Sequence, residues 1–295
     1  MARCALPVTR AHYDGAALEV TVRGLAGGHS GTEIHKGRAN ACVLLGRLLQ
    51  AMAERTELRL VTAAGGGKDN AISVEASAQV VVSDEAAARQ AAEALAADLS
   101  REYAAADPGL RVEVAPCTVR ETPMDGASTE RAVCMLICLP NGVQAMSLEI
   151  HGLVQTSLNL GILAADQTAL TATFCVRSSL GSQKEMLHRR LRTLMAQLGG
   201  TVSISGDYPT WEYRQDSSLR DLMTEVFLEQ YGRKPKIEAI HAGVECGILS
   251  GKLPGLDCVS VGPNLLDIHT PRERMEIASV QRVWRFVLEV LKRSK

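Results

Sequence analysis

From Ala16 to Arg23 apolar and polar residues alternate, the period of a strand with one buried face. The glycine-rich stretch GLAGGHSG follows. Beyond it Ala39, Cys42, Val43, Leu45, Leu49 and Met52 recur at helical spacing, which predicts an amphipathic helix. Strand, loop and helix therefore frame His29. LRLVTA and AISVEASAQVVV then read as strands, Asp84 to Ala106 as an alanine-rich helix of high intrinsic propensity, and RVEVAPCTV as a further strand. A helix is expected from Thr129 to Leu139, and three alternating runs between Gln144 and Val176. Ser182 with Glu185 predicts a capping box opening MLHRRLRTLMAQL, stopped by Gly199 and Gly200, and TVSISG closes the unit. The result is an α+β unit over residues 1–206, an antiparallel sheet with helices on one face.

The pattern changes at GDYPTWEYRQDSS, a polar, proline-containing connection. After it the sequence predicts a helix over Ser218–Tyr231, a strand KIEAI, a short helix near Glu245, a strand LDCVSVG, a loop carrying His269 and a helix over Ser279–Leu291. Alternating helices and short apolar strands indicate a partial α/β segment over residues 207–295. Two strands make a thin sheet, as if part of it were missing.

With 46% hydrophobic and 22% charged residues the chain has the composition of a folded soluble protein, and a formal net charge of −1 gives no basic stripe for nucleic acid. No apolar run approaches a membrane span and MARCALPVTR lacks the core of a signal peptide, so the expectation is a cytoplasmic protein that binds neither nucleic acid nor membrane. The eight cysteines form no CxxC cluster. Several, including Cys42, Cys134, Cys138 and Cys175, sit in apolar periodic segments and read as buried reduced thiols. Cys134 and Cys138 share a helical face, but two thiolates without further ligands close a zinc site poorly.

Three strings carry candidate chemistry. In GLAGGHSGTEIHKGRANA the glycines permit close backbone approach to a ligand, and His29 is placed to donate to a developing oxyanion. In IHAGVECGILSG, His241 and Glu245 are four residues apart, although Gly243 favours a loop-to-helix junction. In SVGPNLLDIHTPRERMEI, His269 follows an apolar strand. Each string alone also has an ordinary explanation as a glycine turn, a capping group or a loop residue.

Together with DNAIS around Asn70, NLG at Asn159, CVRSS at Arg177 and GDYPTW, these strings resemble the family-twenty metallopeptidases, in particular bacterial aminoacyl-histidine dipeptidases, over nearly the whole chain. The resemblance implies a lid domain, also used for dimerisation, followed by a C-terminal segment of a di-zinc catalytic domain. It implies that His29 polarises the scissile carbonyl, that Asn70 and Arg177 hold the substrate backbone or carboxylate, that Glu245 meets the amino group of a short peptide substrate, and that His269 ligates zinc. The implied reaction is hydrolysis of a dipeptide, Xaa-His in preference, with two zinc ions activating water and a glutamate moving its proton.

The family's HxD pair, bridging aspartate and adjacent Glu-Glu belong to an N-terminal catalytic half, and all are expected to be absent here. The chain then reads as truncated, supplying lid, one ligand and part of the pocket, and inactive alone. Two alternatives remain: a non-catalytic dimerisation or peptide-binding module, and one half of a split enzyme. In every case a homo-oligomer is the expected assembly.

Overall fold

The computed structural model describes residues 1–238, 245–267 and 272–294, and divides into two units, Met1–Asp207 and Tyr208–Lys295. The first is built on one antiparallel sheet of nine strands: β1 (Ala2–Pro7), β2 (Ala16–Arg23), β4 (Leu58–Gly65), β6 (Ala76–Val82), β7 (Arg111–Pro116), β8 (Gly142–Met146), β9 (Val154–Ala165), β10 (Ala169–Ser178) and β11 (Thr201–Ile204). Their order is β11-β1-β10-β9-β4-β6-β2-β7, with β8 also on β9. Two short strands, β3 (Gly28–His29) and β5 (Ala71–Ile72), pair separately. Helices α1 (Ala41–Ala53), α2 (Glu85–Glu102), α3 (Gly126–Cys138) and α4 (Gly181–Gln197) complete the unit.

One face of the sheet makes the core. Leu18, Val20 and Val22 of β2, Cys4 and Leu6 of β1, and Leu170, Ala172 and Phe174 of β10 are buried with Leu44, Leu45, Leu48 and Leu49 of α1, Leu136 of α3 and Leu191 of α4. Intervening residues such as Glu19, Thr21, Thr171 and Thr173 face the other way, which is the two-residue alternation read from the sequence. Asn40 caps α1, its side chain accepting from Cys42 N and Val43 N, and Asp84 and Asp125 cap α2 and α3 in the same way.

β9 has two partners along the edge facing away from β10. β8 takes Val154 to Leu158 and β4 takes Leu163 and Ala164, so the sheet opens between them. Side-chain amides satisfy the backbone there: Asn40 Nδ2 donates to Leu160 O at 2.7 Å and Asn141 Oδ1 accepts from Leu160 N at 2.8 Å. β9 also carries a bulge against β10, with Gly161 as its extra residue.

Two expectations for this unit are corrected, and one strand joins those expected. β1 pairs on both sides, with β10 and β11, although Pro7 and the short run hid it from the pattern. Ser182 and Glu185 form no capping box: Leu180 holds the N-cap position of α4 without a side-chain cap hydrogen bond, because the helix starts before Ser182. Cys4 and Cys42 are buried thiols, raised to about 12 and about 11 by burial, whereas Cys138 is exposed and Cys134 and Cys175 are half-buried.

The second unit contains α5 (Ser218–Tyr231), α6 (Glu245–Lys252), α7 (Ile277–Arg293) and a two-residue pair, β12 (Leu265–Leu266) with β13 (Arg274–Met275). Met223, Val226, Phe286 and Val290 form a small core between α5 and α7. Ser217 caps α5, and the Asp257 carboxylate accepts from Ser217 Oγ at 2.7 Å and Leu219 N at 3.0 Å, its pKa lowered by these hydrogen bonds against the opposing effect of burial. The expected α/β sheet is corrected: residues 236–238 and LDCVSVG are not strands, and no parallel pair occurs among the described residues. Strands require partners for their backbone groups, and here Ile237, Leu256 and Val261 stay exposed. On α7, Ile277, Trp284, Leu288 and Leu291 lie on one stripe, seven, four and three residues apart, and all four are exposed.

Phe174 is wholly buried between sheet and helices. Phe174→Ala is expected to lower the unfolding free energy of the first unit by about 3–5 kcal/mol in a urea titration, and a loss below about 1 kcal/mol would contradict the packing described.

Candidate functional site

His29 stands in the connection between β2 and α1, on the two-residue strand β3. Its partner is β5, with Gly28 opposite Ile72 and His29 opposite Ala71, and Ser30 N donates to Asn70 O at 2.9 Å. His29 and Asn70, far apart in sequence, are thus neighbours. Two residues of ladder are too little to hold a loop. Four side chains add to it.

Asp107, buried just beyond α2, accepts from Ala26 N and from Ala39 N, both at 2.7 Å, and so clamps the two ends of the loop. Glu33 Oε2 accepts from His29 N at 2.9 Å, while its other oxygen meets Lys36 Nζ at 2.7 Å and Arg38 Nη1 at 3.3 Å. Arg38 also donates to Gly27 O. Gly28 has φ 138°, and a Cβ there would lie 2.7 Å from Arg38 Nη1 and 2.8 Å from Glu33 Oε2, so this position requires glycine. Asn159 serves the opposite side: its Nδ2 donates to Asp69 O at 3.0 Å and Ala71 O at 2.8 Å.

The imidazole has a defined tautomer. Nδ1 of His29 accepts the backbone N–H of Gly31 and of Thr32, each at 3.2 Å, which places the ring proton on Nε2 as a donor. A neutral imidazole of this kind can donate to a developing oxyanion without first losing or gaining a proton.

Arg177 lies near the end of β10 opposite Ser157 of β9, two residues from Asn159 and on the sheet face turned away from the helical core. Its Nε is buried without a hydrogen-bond partner among the described residues, and so is the hydroxyl of Ser30, next to His29. Buried donors without partners are costly, and these are the two such side-chain atoms among the described residues. Glu245 is exposed at the first turn of α6 in the second unit. His241 and His269 lie outside the described residues.

No three His, Cys, Asp or Glu side chains come together as a metal site among the described residues, so these residues do not by themselves fit a catalytic zinc centre. The sulfurs of Cys134 and Cys138 are 3.9 Å apart on α3, with no third donor among the described residues. The expectation that no HxD string is present is corrected by His12-Tyr13-Asp14, between β1 and β2. Its two side chains are exposed and 3.5 Å apart, a surface pair without further donors among the described residues. Among the described residues no helix is long and apolar enough to cross a membrane.

The carboxyl of Glu33 is held down to about 2, first by its hydrogen bond to Lys36, then by the His29 backbone N–H. A carboxylate with a depressed pKa contributes fully above its ordinary value near 4.5 and loses that contribution as pH falls through about 2. The effect of the Glu33 carboxylate on the His29 amide resonance is therefore expected to be lost as the pH falls through about 2. Glu33→Gln should abolish that transition, and its persistence in the variant would contradict the assignment.

Residues 20–107, from β2 through the His29 loop to its clamp at Asp107, match a family described as the peptidase dimerisation domain. Over 277 residues the chain is 32% identical to the cytosol non-specific dipeptidase of Escherichia coli K12, covering 93% of this chain and 57% of that protein. The crystal structure of aminoacylhistidine dipeptidase from Vibrio alginolyticus matches 99% of this chain and 60% of its own, with a TM-score of 0.92 and 31% identity. The chain spans less than two thirds of either relative. Over residues 20–107 it is similar to a peptidase dimerisation domain, and over most of its length to these two dipeptidases.

Proposed function

We propose that this chain is the lid and C-terminal part of a dipeptide hydrolase, with Xaa-His dipeptides as its preferred substrates. The observation that carries the reading is the pair of buried, unpartnered donors, Arg177 Nε and Ser30 Oγ, both on segments that the sequence motifs assign to substrate. A bound peptide supplies the acceptors these atoms lack. Homology to a non-specific dipeptidase and to an aminoacylhistidine dipeptidase supports the substrate class. The dimerisation-domain match supports a homo-oligomer.

In this reading the Arg177 guanidinium takes the substrate carboxylate, and Asn70 binds the peptide backbone. His29 donates from Nε2 to the scissile carbonyl oxygen as negative charge gathers there, and its Nδ1, already accepting two backbone N–H groups, fixes which nitrogen does so. Glu245 meets the substrate ammonium. His269 is assigned as a metal ligand. Because the described residues hold no zinc site, the two zinc ions implied by the resemblance belong to a centre that needs residues beyond them. The sequence contains no adjacent Glu-Glu to act as general base.

The exposed stripe on α7, with Ile277 75% and Trp284 63% exposed, supports the further point that this apolar face of the second unit is covered by another polypeptide surface.

The purified 295-residue chain is expected to release no histidine from glycyl-histidine and to retain no double zinc occupancy after dialysis. Joined to the remaining part of its dipeptidase relative, it is expected to hydrolyse the same substrate. Chelator-sensitive turnover by the chain alone would overturn the proposal.

A further inference from the structure

We propose that Asn159 is a positioning residue for His29, an assignment that rests on His29 being the group that meets the substrate carbonyl. Asn159 lies on β9, where the sheet opens between β8 and β4, and it is buried. Both hydrogens of its amide are used, on Asp69 O at 3.0 Å and Ala71 O at 2.8 Å. Its oxygen accepts from Asn40 Nδ2 at 3.3 Å. That same Asn40 amide group donates to Leu160 O, and the Asn40 oxygen caps α1. One pair of asparagines therefore ties three things together: the start of the helix that follows the His29 loop, the opened edge of β9, and the backbone of residues 69–71.

The last of these decides where His29 sits. Ala71 is the residue paired with His29, and Asn70 O is the acceptor for Ser30 N. A shift of the 69–71 backbone moves both contacts and hence the imidazole. The approach leaves no slack, since a Cβ on Gly161 would stand 2.5 Å from the Asp69 Cα and 2.5 Å from Asp69 O. Asp107 and Glu33 grip the His29 loop from its own side, and Asn159 grips the strand against which it rests. It touches no substrate. Its effect reaches the imidazole through two backbone hydrogen bonds and one rung of a short ladder.

Asn159→Asp isolates this role. The carboxylate keeps the shape and still accepts from Asn40, yet turns an oxygen without hydrogen toward two carbonyl oxygens. Amide hydrogen exchange and ring-nitrogen NMR shifts are read on the full 295-residue chain. In the variant, exchange at Ser30 and at Ala71–Ile72 is expected to accelerate about tenfold or more while the amides of β6 and β10 keep their protection. The His29 ring shifts are expected to move from an Nε2–H tautomer toward an average of both tautomers. Gly161→Ala, which pushes the same backbone and leaves both asparagines intact, is expected to give the same local pattern and decides the matter if Asn159→Asp does not fold. Unchanged Ser30 exchange and ring shifts in the folded variants would overturn the assignment, as would equal loss of protection in β6 and β10. Neither readout depends on turnover, so failure here removes Asn159 alone and leaves the dipeptidase reading to its own test.

Discussion

The His29 loop must find partners for its own backbone, and that constraint organises the first unit. The His29 loop gains only two residues of ladder, from β3 and β5. Beside that ladder, side chains turned onto main chain hold it: Asp107 on Ala26 and Ala39, Glu33 on His29, Asn159 on the strand beneath. Each is a charge-assisted or fully used amide hydrogen bond in a partly dry environment, where leaving a partner unmade is expensive. The large sheet and its leucine-rich helices give these groups fixed positions. The sheet also supplies the opening in which they work, because β9 runs past the end of one neighbour before meeting the next.

The same accounting marks two exceptions in the first unit. Among the described residues, almost every buried side-chain donor or acceptor has a partner, and the exceptions fall at Ser30 and Arg177. The second unit shows an apolar counterpart: a small α5–α7 core and a stripe of exposed large residues along α7. Apolar segments that sequence periodicity marks as strands remain without ladders there. Hydrophobic periodicity reports that a face is meant to be covered, not what covers it.

Much of the first unit was legible for a simple reason. Strands such as β2 and helices such as α1 carry their period in consecutive residues, so Val20 and Leu45 announce their own burial. The loop that carries His29 was legible through its glycines. The groups that position it were harder to see. Asp107 closes an alanine-rich helix and acts on residues about seventy and eighty positions earlier, with no local signal for that reach. Asn159 did leave a trace, a polar residue amid the apolar run LNLG, and a buried amide in such a place implies partners. β1 was missed because Pro7 follows only a few alternating residues. LDCVSVG and residues 236–238 form no strand because a strand is a property of two segments, and period alone describes one.

The most direct test of the account concerns the imidazole itself, in the chain joined to the remaining part of its dipeptidase relative. His29→Ala in that protein is predicted to lower kcat for glycyl-histidine by about a hundredfold or more, the scale of one lost oxyanion donor, with zinc content unchanged. Loss of zinc together with activity would make His29 a ligand rather than a donor, and an unchanged kcat would remove it from the chemistry.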